Sequence, residues 1–555
     1  MLIGTVVLTA LGTTAAFAQL VPGHVLRHGE VGRWTFSSGG LVPGPPFLKG
    51  DDTFGAAIAP LGDLDGDGTL EVAVGAPNEV ILGGYSHESH VWFLSYASDG
   101  SVVAASELPQ VAGPLAPANS FGMALAALGD VDGDGICDLA VSTRVDEATP
   151  QGNGAVWLLF LDTDASVKRS VRIGDAASGF VGPLHEDDGF GHALAGLGDL
   201  DGDGCPDLAV GAPGDHEAGP ERGAVWILFL AADGSVQRQQ KLSDIQGQLN
   251  VGLDDADGFG WALGTGRDLT GDGRAELLVG APGDDDVVAG SGAVYVLVLQ
   301  TDGKVQFRRK LTVEGAQIGR AACGLGDLDG DGQGDLALGA PFEDGGGIQR
   351  GAVWLVRLRP DLTIATTLHI EDGSHGFDGP LFDVERFGWA VESWGAVGAT
   401  GYPDLFVGCP YRSGGFASIP WAGSTWLLRL NAGVVQNLGG ALPGSTPGAT
   451  LALHSTLEPG APAALTLDEA AAGGATWLVV GLSVVRHPFL GGTLVPAPDI
   501  AIFAGWTDTH GALEVTGPWP LGVPSHSAFV FQAWTEDLAG PFGWAASGAL
   551  QATTP

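Results

Sequence analysis

Positive charge is scarce in this chain: 24 lysines and arginines stand against 65 aspartates and glutamates over 555 residues, a formal net charge of −41. That shortage excludes nucleic acid and anionic membrane surfaces as expected partners, because lysine and arginine supply the affinity for phosphate-rich surfaces. Cysteine is scarce as well. Cys137, Cys205, Cys323 and Cys409 share no common place in the sequence pattern. A recurring disulfide framework is therefore excluded and isolated small residues are the preferred reading, with a Cys137–Cys205 pair left open. No stretch reaches 18 uninterrupted apolar residues, so the mature chain is expected to have no membrane span. Helical periodicity is missing throughout the repeated part. So are a Gly-x-Ser-x-Gly elbow, a phosphate-binding glycine loop and a His-Glu-x-x-His pair. "SHESH" (86–90) holds His87, Glu88 and His90 at a different spacing, in a glycine-rich connection, and is a poor zinc motif.

What is present is a folded composition, 45% apolar, on a chain too long for one simple core. The first 18 residues read as an export signal, an apolar run ending in Ala16-Phe17-Ala18, although no lysine or arginine precedes it. Then comes a repeat. "FGAAIAPLGDLDGDGTLEVAVGAP" begins at Phe54, and copies begin at Phe121, Phe190, Phe259 and Ile318, with a worn copy at Phe387. Spacings of 59 to 69 residues suit four short strands with their connections. The first strand runs from Phe-Gly to an acidic loop, and the second is the "DLAVGAP" run. The third is "GAVWLLFL", and the fourth follows a tight turn such as "ADGS". An aromatic recurs in the third strand as Trp92, Trp157, Trp226, Tyr295, Trp354 and Trp426, which argues for packing between units rather than for ligand contact.

Four-stranded units repeated around an axis predict an all-β fold, a β-propeller of six blades. A seventh is conceivable near 450–482, where "TWLVVGLS" faintly echoes the second strand. "HVLRHGEVG" (24–32) resembles a fourth strand standing before the first full copy, so it is expected to complete the last blade. The Phe-Gly start, acidic loop and Gly-Ala-Pro end resemble the FG-GAP repeats of the integrin α-chain propeller, most closely those of bacterial secreted FG-GAP proteins, over roughly residues 24–440.

The acidic loop reads Asp-x-Asp-Gly-Asp-Gly-x-x-Asp/Glu. Carboxylates at positions 1, 3, 5 and 9, a carbonyl at 7 and a turn-forming glycine at 6 form the hard-oxygen pattern that holds Ca²⁺. The predicted ligands are Asp63, Asp65, Asp67 and Glu71; Asp130, Asp132, Asp134 and Asp138; and Asp199, Asp201, Asp203 and Asp207. The fourth loop offers Asp268, Asp272 and Glu276, with Thr270 in place of the second acid and hence a weaker site. The fifth offers Asp327, Asp329, Asp331 and Asp335. Carbonyls of Thr69, Ile136, Cys205, Arg274 and Gln333 fill position 7. The sixth loop, with Ala396, Gly398 and Thr400 before Asp404, has lost its site. About five calcium ions are thus expected, serving shape rather than chemistry.

Two function classes follow. A non-catalytic, monomeric, secreted binding or adhesion scaffold leads. An extracellular hydrolase or polysaccharide lyase is the alternative, since calcium-loop propellers resemble parts of glycosylphosphatidylinositol-specific phospholipase D and certain rhamnogalacturonan lyases. Strand direction puts the connections after the second and fourth strands on the face opposite the calcium loops, and these vary between copies. Binding is expected there, with Tyr85, His87, Arg222, Arg350, Tyr411, Arg412 and Trp421 as contacts to an extracellular protein or polysaccharide. The propeller is expected to end near 440. Residues 441–555 lose the motif and read as a small β-sandwich, from alternating runs such as "DIAIFAGW". They resemble a C-terminal domain of secreted planctomycete and myxobacterial proteins.

Overall fold

Each of the first five copies of the repeat folds into one antiparallel four-stranded sheet with its strands, A to D, paired in chain order. Blade 1 comprises Ala57–Gly62, Leu70–Ala76, His90–Tyr96 and Val102–Glu107. Blade 2 comprises Leu125–Gly129, Asp138–Thr143, Ala155–Leu161 and Val167–Ile173. Blade 3 comprises Leu194–Gly198, Asp207–Ala212, Ala224–Leu230 and Val236–Leu242. Blades 4 and 5 repeat the plan over Ala262–Leu311 and Ala321–Ile370. Blade 6 takes Val391–Ala396, Pro403–Cys409 and Ser424–Leu430, and its outer strand is Val25–Gly32 from the start of the chain. The ring is therefore closed by the N-terminal strand, as its sequence predicts. The computed structural model describes residues 53–77, 89–97, 100–108, 120–143, 153–175, 177–287, 290–313, 316–328, 332–374, 377, 381–396, 403–411 and 423–430, and elsewhere strands alone. Among the described residues there is no helix, and hence none long and apolar enough to cross a membrane.

The motif that marks each repeat is the seam between blades. Strand B carries the Gly of Gly-Ala-Pro. A Cβ there would collide with the carbonyl oxygen of the glycine that opens the next blade: Gly211 against Gly260, Gly280 against Gly319 and Gly339 against Gly388. Gly408 of blade 6 meets Gly55 of blade 1 in the same way, and Phe54 bridges to Gly423, so the last seam matches the others. Strands A touch their neighbours in ring order, which puts them innermost. In blades 2 to 4 strands B and C are buried along their whole length, as in Asp207–Ala212 and Ala224–Leu230, because another blade covers each face. The third-strand aromatics lie in these seams: Trp226 is 4% exposed and meets Phe180 edge-on, and Tyr295 meets Phe259 likewise. All four cysteines are free thiols, so the Cys137–Cys205 pairing is not made.

Contacts divide the chain into two compact units, residues 27–399 with 403–430, and residues 1–26 and 400–402 with 431–555. The second unit holds antiparallel sheets of six and three strands. Val434–Gly439, the strand that follows blade 6 in sequence, pairs with Ala549–Thr553 in the six-stranded sheet. Ala475–Gly481, the core of the possible seventh blade, joins that sheet instead, between Ile500–Trp506 and Ala528–Glu536. Six blades are formed.

Candidate metal centre and the opposite face

The acidic loops join strands A and B, and one carboxylate organises each of them. The position-1 aspartate accepts backbone N–H groups from positions 4, 5 and 6: Asp199 Oδ1 takes Gly202 N and Asp203 N at 2.7 and 3.0 Å, and Oδ2 takes Gly204 N at 2.9 Å. Asp130 and Asp268 repeat the three bonds, and Asp63 takes Gly66 N and Gly68 N. Such wrapping needs left-handed backbone at both glycines. Gly202 and Gly204 have φ of 81° and 94°, with nothing near a would-be Cβ, so conformation rather than space demands glycine.

The position-9 carboxylate is a buried anchor. Asp207 is fully buried, accepting Leu200 N at 3.0 Å and Leu230 N, at the end of strand C, at 3.2 Å. Asp138 makes the same pair with Val131 and Leu161, and Asp335 with Leu328 and Leu358. The apolar residue at position 2 is the sequence signal for this anchor, since Leu64, Val131, Leu200, Leu269 and Leu328 are all buried.

With these anchors in place, the acids converge. One oxygen from each of Asp63, Asp65 and Glu71 lies within 4.8 Å of the others. The same holds for Asp130, Asp132 and Asp138, for Asp199, Asp201 and Asp203, and for Asp268, Asp272 and Glu276. In the fourth loop Thr270 Oγ1 donates to Glu276 Oε1 at 2.7 Å. In the fifth, Asp327 and Asp335 keep their places and the Gln333 side chain donates to Leu269 O of the preceding blade at 2.5 Å. Asp329 and Asp331 lie outside the described residues. Asp67, Asp134 and Asp203 each accept the backbone N–H of position 7, so that Thr69, Ile136 and Cys205 are held beside them. Arg274 N likewise donates to Asp272.

The electrostatics call for a cation. Burial pushes Asp138 up to about 6, with repulsion from Asp132 and Asp130 adding to it, and pushes Asp207 up to about 7, with Asp201 and Asp203 adding. Basic side chains stand at Oδ2 oxygens of these loops. Arg169 stands 3.6 Å from Asp132 Oδ2, Lys168 pairs with Asp134, and Arg238 binds Asp201 Oδ2 at 3.0 Å. Asp132 Oδ1 is left shut from solvent with no hydrogen-bond partner. An inward, unsatisfied carboxylate oxygen among acids fits a hard divalent ion.

The opposite face carries the connections from B to C and from D to the next blade. Arg222 donates to Asp255 at 2.9 Å and Arg350 to Asp383 at 3.0 Å, each tying a B–C loop to the connection entering the next blade. Their backbones are stitched too, Phe259 N to Arg222 O and Phe387 N to Arg350 O. Tyr411 is 6% exposed, edge-on to Trp389. Tyr85, His87, Arg412 and Trp421 lie outside the described residues. His90 of the "SHESH" stretch pairs with Glu107 at 2.5 Å.

A cluster on this face was not foreseen. His192, Trp261, Arg320 and Trp389 each directly follow the Phe-Gly or Ile-Gly of their blade, and the ring brings them together. His192 and Trp261 have centroids 4.4 Å apart. Arg320 lies 4.2 Å over Trp261 and 4.7 Å over Phe342. Arg386 lies 4.7 Å over Phe342 and 4.3 Å over Tyr411. Burial, and then the Arg386 charge, push Arg320 down to about 10, and Arg386 Nε is buried with no hydrogen-bond partner. Two guanidiniums held by aromatic rings are thus grouped on a strongly acidic protein. The variable residue after each Phe-Gly (Ala56, Met123, His192, Trp261, Arg320, Trp389) was the available signal.

Comparison with known proteins agrees with this architecture. The FG-GAP repeat family matches residues 54–94, 121–159, 190–228, 259–297 and 319–356. Integrin alpha-PS2 of Drosophila melanogaster is 31% identical over 239 residues, 40% of this chain and 15% of that protein. Integrin alpha-5 of Xenopus laevis is 32% identical over 252 residues, 43% of this chain and 21% of that protein. Phosphatidylinositol-glycan-specific phospholipase D of Rattus norvegicus is 30% identical over 220 residues, 38% of this chain and 25% of that protein. The chain spans a quarter or less of the length of these relatives.

Proposed function

Because the chain is an FG-GAP-repeat β-propeller protein, we propose that it is a secreted, calcium-binding, non-catalytic interaction scaffold that engages an extracellular protein or polysaccharide. On this reading residues 1–18 are an export signal, 19–440 the propeller and 441–555 a second β-domain. Calcium is held by the acidic loops of blades 1 to 5, the fourth more weakly for want of a second acid. The observation that carries this part is the convergence of three carboxylates in each of four loops, with Asp132 Oδ1 buried and unbonded among them. Bound only by the folded state, each ion would stabilise its hairpin by linkage, about 2.7 kcal/mol at a hundredfold excess over Kd.

Ligand binding belongs to the face away from these loops. Its support is the Arg320–Arg386 pair among Trp261, Phe342, Trp389 and Tyr411, a grouping suited to an anionic group presented on a planar or sugar-like surface. The relatives named as integrin α-chains favour adhesion, and the one named as phospholipase D is matched over 38% of this chain and a quarter of its own length. A glycan array and a cell-surface pulldown with the calcium-loaded protein test the reading. Binding should weaken in Arg320→Ala and Trp389→Ala and persist in Asp201→Ala. Binding lost only in folded variants of the calcium face would assign the wrong face.

A further inference from the structure

Blade 3 has a histidine pair that its neighbours lack. His185 lies in the connection entering the blade and His216 in its B–C loop, 31 positions apart in sequence and together on the face opposite the acidic loops. Their rings are 5.3 Å apart between centroids. Asp188 lies between them. His185 Nδ1 is 3.4 Å from Asp188 Oδ2 and His216 Nδ1 is 3.4 Å from Asp188 Oδ1. The Asp188 side chain is 1% exposed, and its Oδ1 has no hydrogen-bond partner.

The frame is rigid. Asp188 Oδ2 accepts His185 N at 2.7 Å, closing the connection on itself, and Gly214 N donates to Asp188 O at 3.0 Å, fastening the B–C loop to it. Blade 4 repeats this frame, with Asp254 N donating to Asp257 Oδ2 and Gly283 N to Asp257 O. Aspartates, Asp254 and Asp285, stand there where blade 3 has His185 and His216. The frame alone therefore does not require histidine. Nor do the distances suit direct bonding, since a charge-assisted N–H···O bond closes to about 2.7–2.9 Å. Two ligand atoms of one tetrahedral ion with bonds of about 2.0–2.1 Å stand roughly 3.4 Å apart.

We propose that His185, Asp188 and His216 form a site for an imidazole-preferring divalent transition metal of the Zn²⁺ class, separate from the calcium loops. One ligand atom from each residue lies within 4.8 Å of the others. The two imidazoles select against calcium, which takes oxygen ligands. The nearby lysine, Lys241, is occupied by Asp215 at 2.6 Å and Glu217 at 2.7 Å, and so does not neutralise Asp188. Both histidines are about half exposed, which leaves a coordination position open to water or to a carboxylate or imidazole from a partner.

The test is titration of the tag-free, full-length protein with Zn²⁺ in saturating Ca²⁺, followed by Co²⁺ as a spectroscopic probe. One Zn²⁺ equivalent should bind, and Co²⁺ should give the visible absorption of a tetrahedral site. Both should disappear in His185→Ala/His216→Ala, and Asp188→Asn should weaken Zn²⁺ by more than about tenfold. Since the histidines are exposed, the double variant should melt with the parent in EDTA, which keeps lost binding distinct from lost folding. No Zn²⁺ bound, or an equivalent that survives the double histidine variant, would overturn the site.

Discussion

Asp207→Ala separates the two duties of a loop carboxylate. Asp207 is fully buried and accepts the N–H groups of Leu200 and Leu230. Truncation leaves two buried donors unpaired, at about 1–3 kcal/mol each. Partial rescue by water entering the space sets the expected loss at about 2–4 kcal/mol without any metal. Asp201 sits in the same loop but is 20% exposed and bonded to Arg238, itself 41% exposed. An exposed pair of this kind is worth up to about 1 kcal/mol. In urea denaturation with EGTA present, Asp207→Ala should therefore lower stability by several-fold more than Asp201→Ala. With calcium added, both should show a smaller calcium-induced gain than the parent. If the two variants are equally stable in EGTA, the position-9 residue is no anchor, and the account of how the loop is held is wrong.

Three further outcomes follow. Gly211→Ala pushes a Cβ into the Gly260 carbonyl and should cost about 2 kcal/mol, since the blade 2 seam already accommodates Ser142 at the equivalent place; Gly373→Ala, with φ of 76° and open space, should cost about 1 kcal/mol by chemical denaturation. Deleting residues 24–32 removes the outer strand of blade 6 and should lower stability on the order of several kcal/mol; an unchanged melt would mean the ring does not depend on this closure. Burial pushes Glu392 from 4.5 up to about 8 while Arg267 pulls it down, so the folded protein holds a proton that the unfolded chain has lost. Its contribution should fall as pH rises from 4.5 towards 8, and Glu392→Gln should flatten that part of the stability profile.

The blades, their number and the closing strand were legible because the constraint recurs. The Gly that follows Phe or Ile at the start of a blade meets the Gly of strand B at five of the six seams, where an added Cβ would strike a carbonyl oxygen, and Ser142 takes that place in blade 2. The carboxylate loops were legible for the same reason. What the sequence hid depends on single residues that the ring brings together. Arg320 and Arg386 share aromatic partners across blades 4 to 6, and His185 meets His216 through two loops of one blade. Arg222 and Arg350, expected as ligand contacts for being basic amid acid, are engaged by Asp255 and Asp383 of the following connections. Val434–Gly439 resembles a fourth strand by position, yet the N-terminal strand takes that edge and it pairs in the second unit.

The central claim, that the acidic loops are filled by calcium, is tested most directly by counting the ion. Metal-free protein dialysed against Ca²⁺ should retain about five equivalents, the fourth-blade site filling last, and its melting temperature should rise with occupancy. Fewer ions after Asp201→Ala, by one, would locate a site in blade 3. No retained calcium, with a melt indifferent to EGTA, would contradict the account.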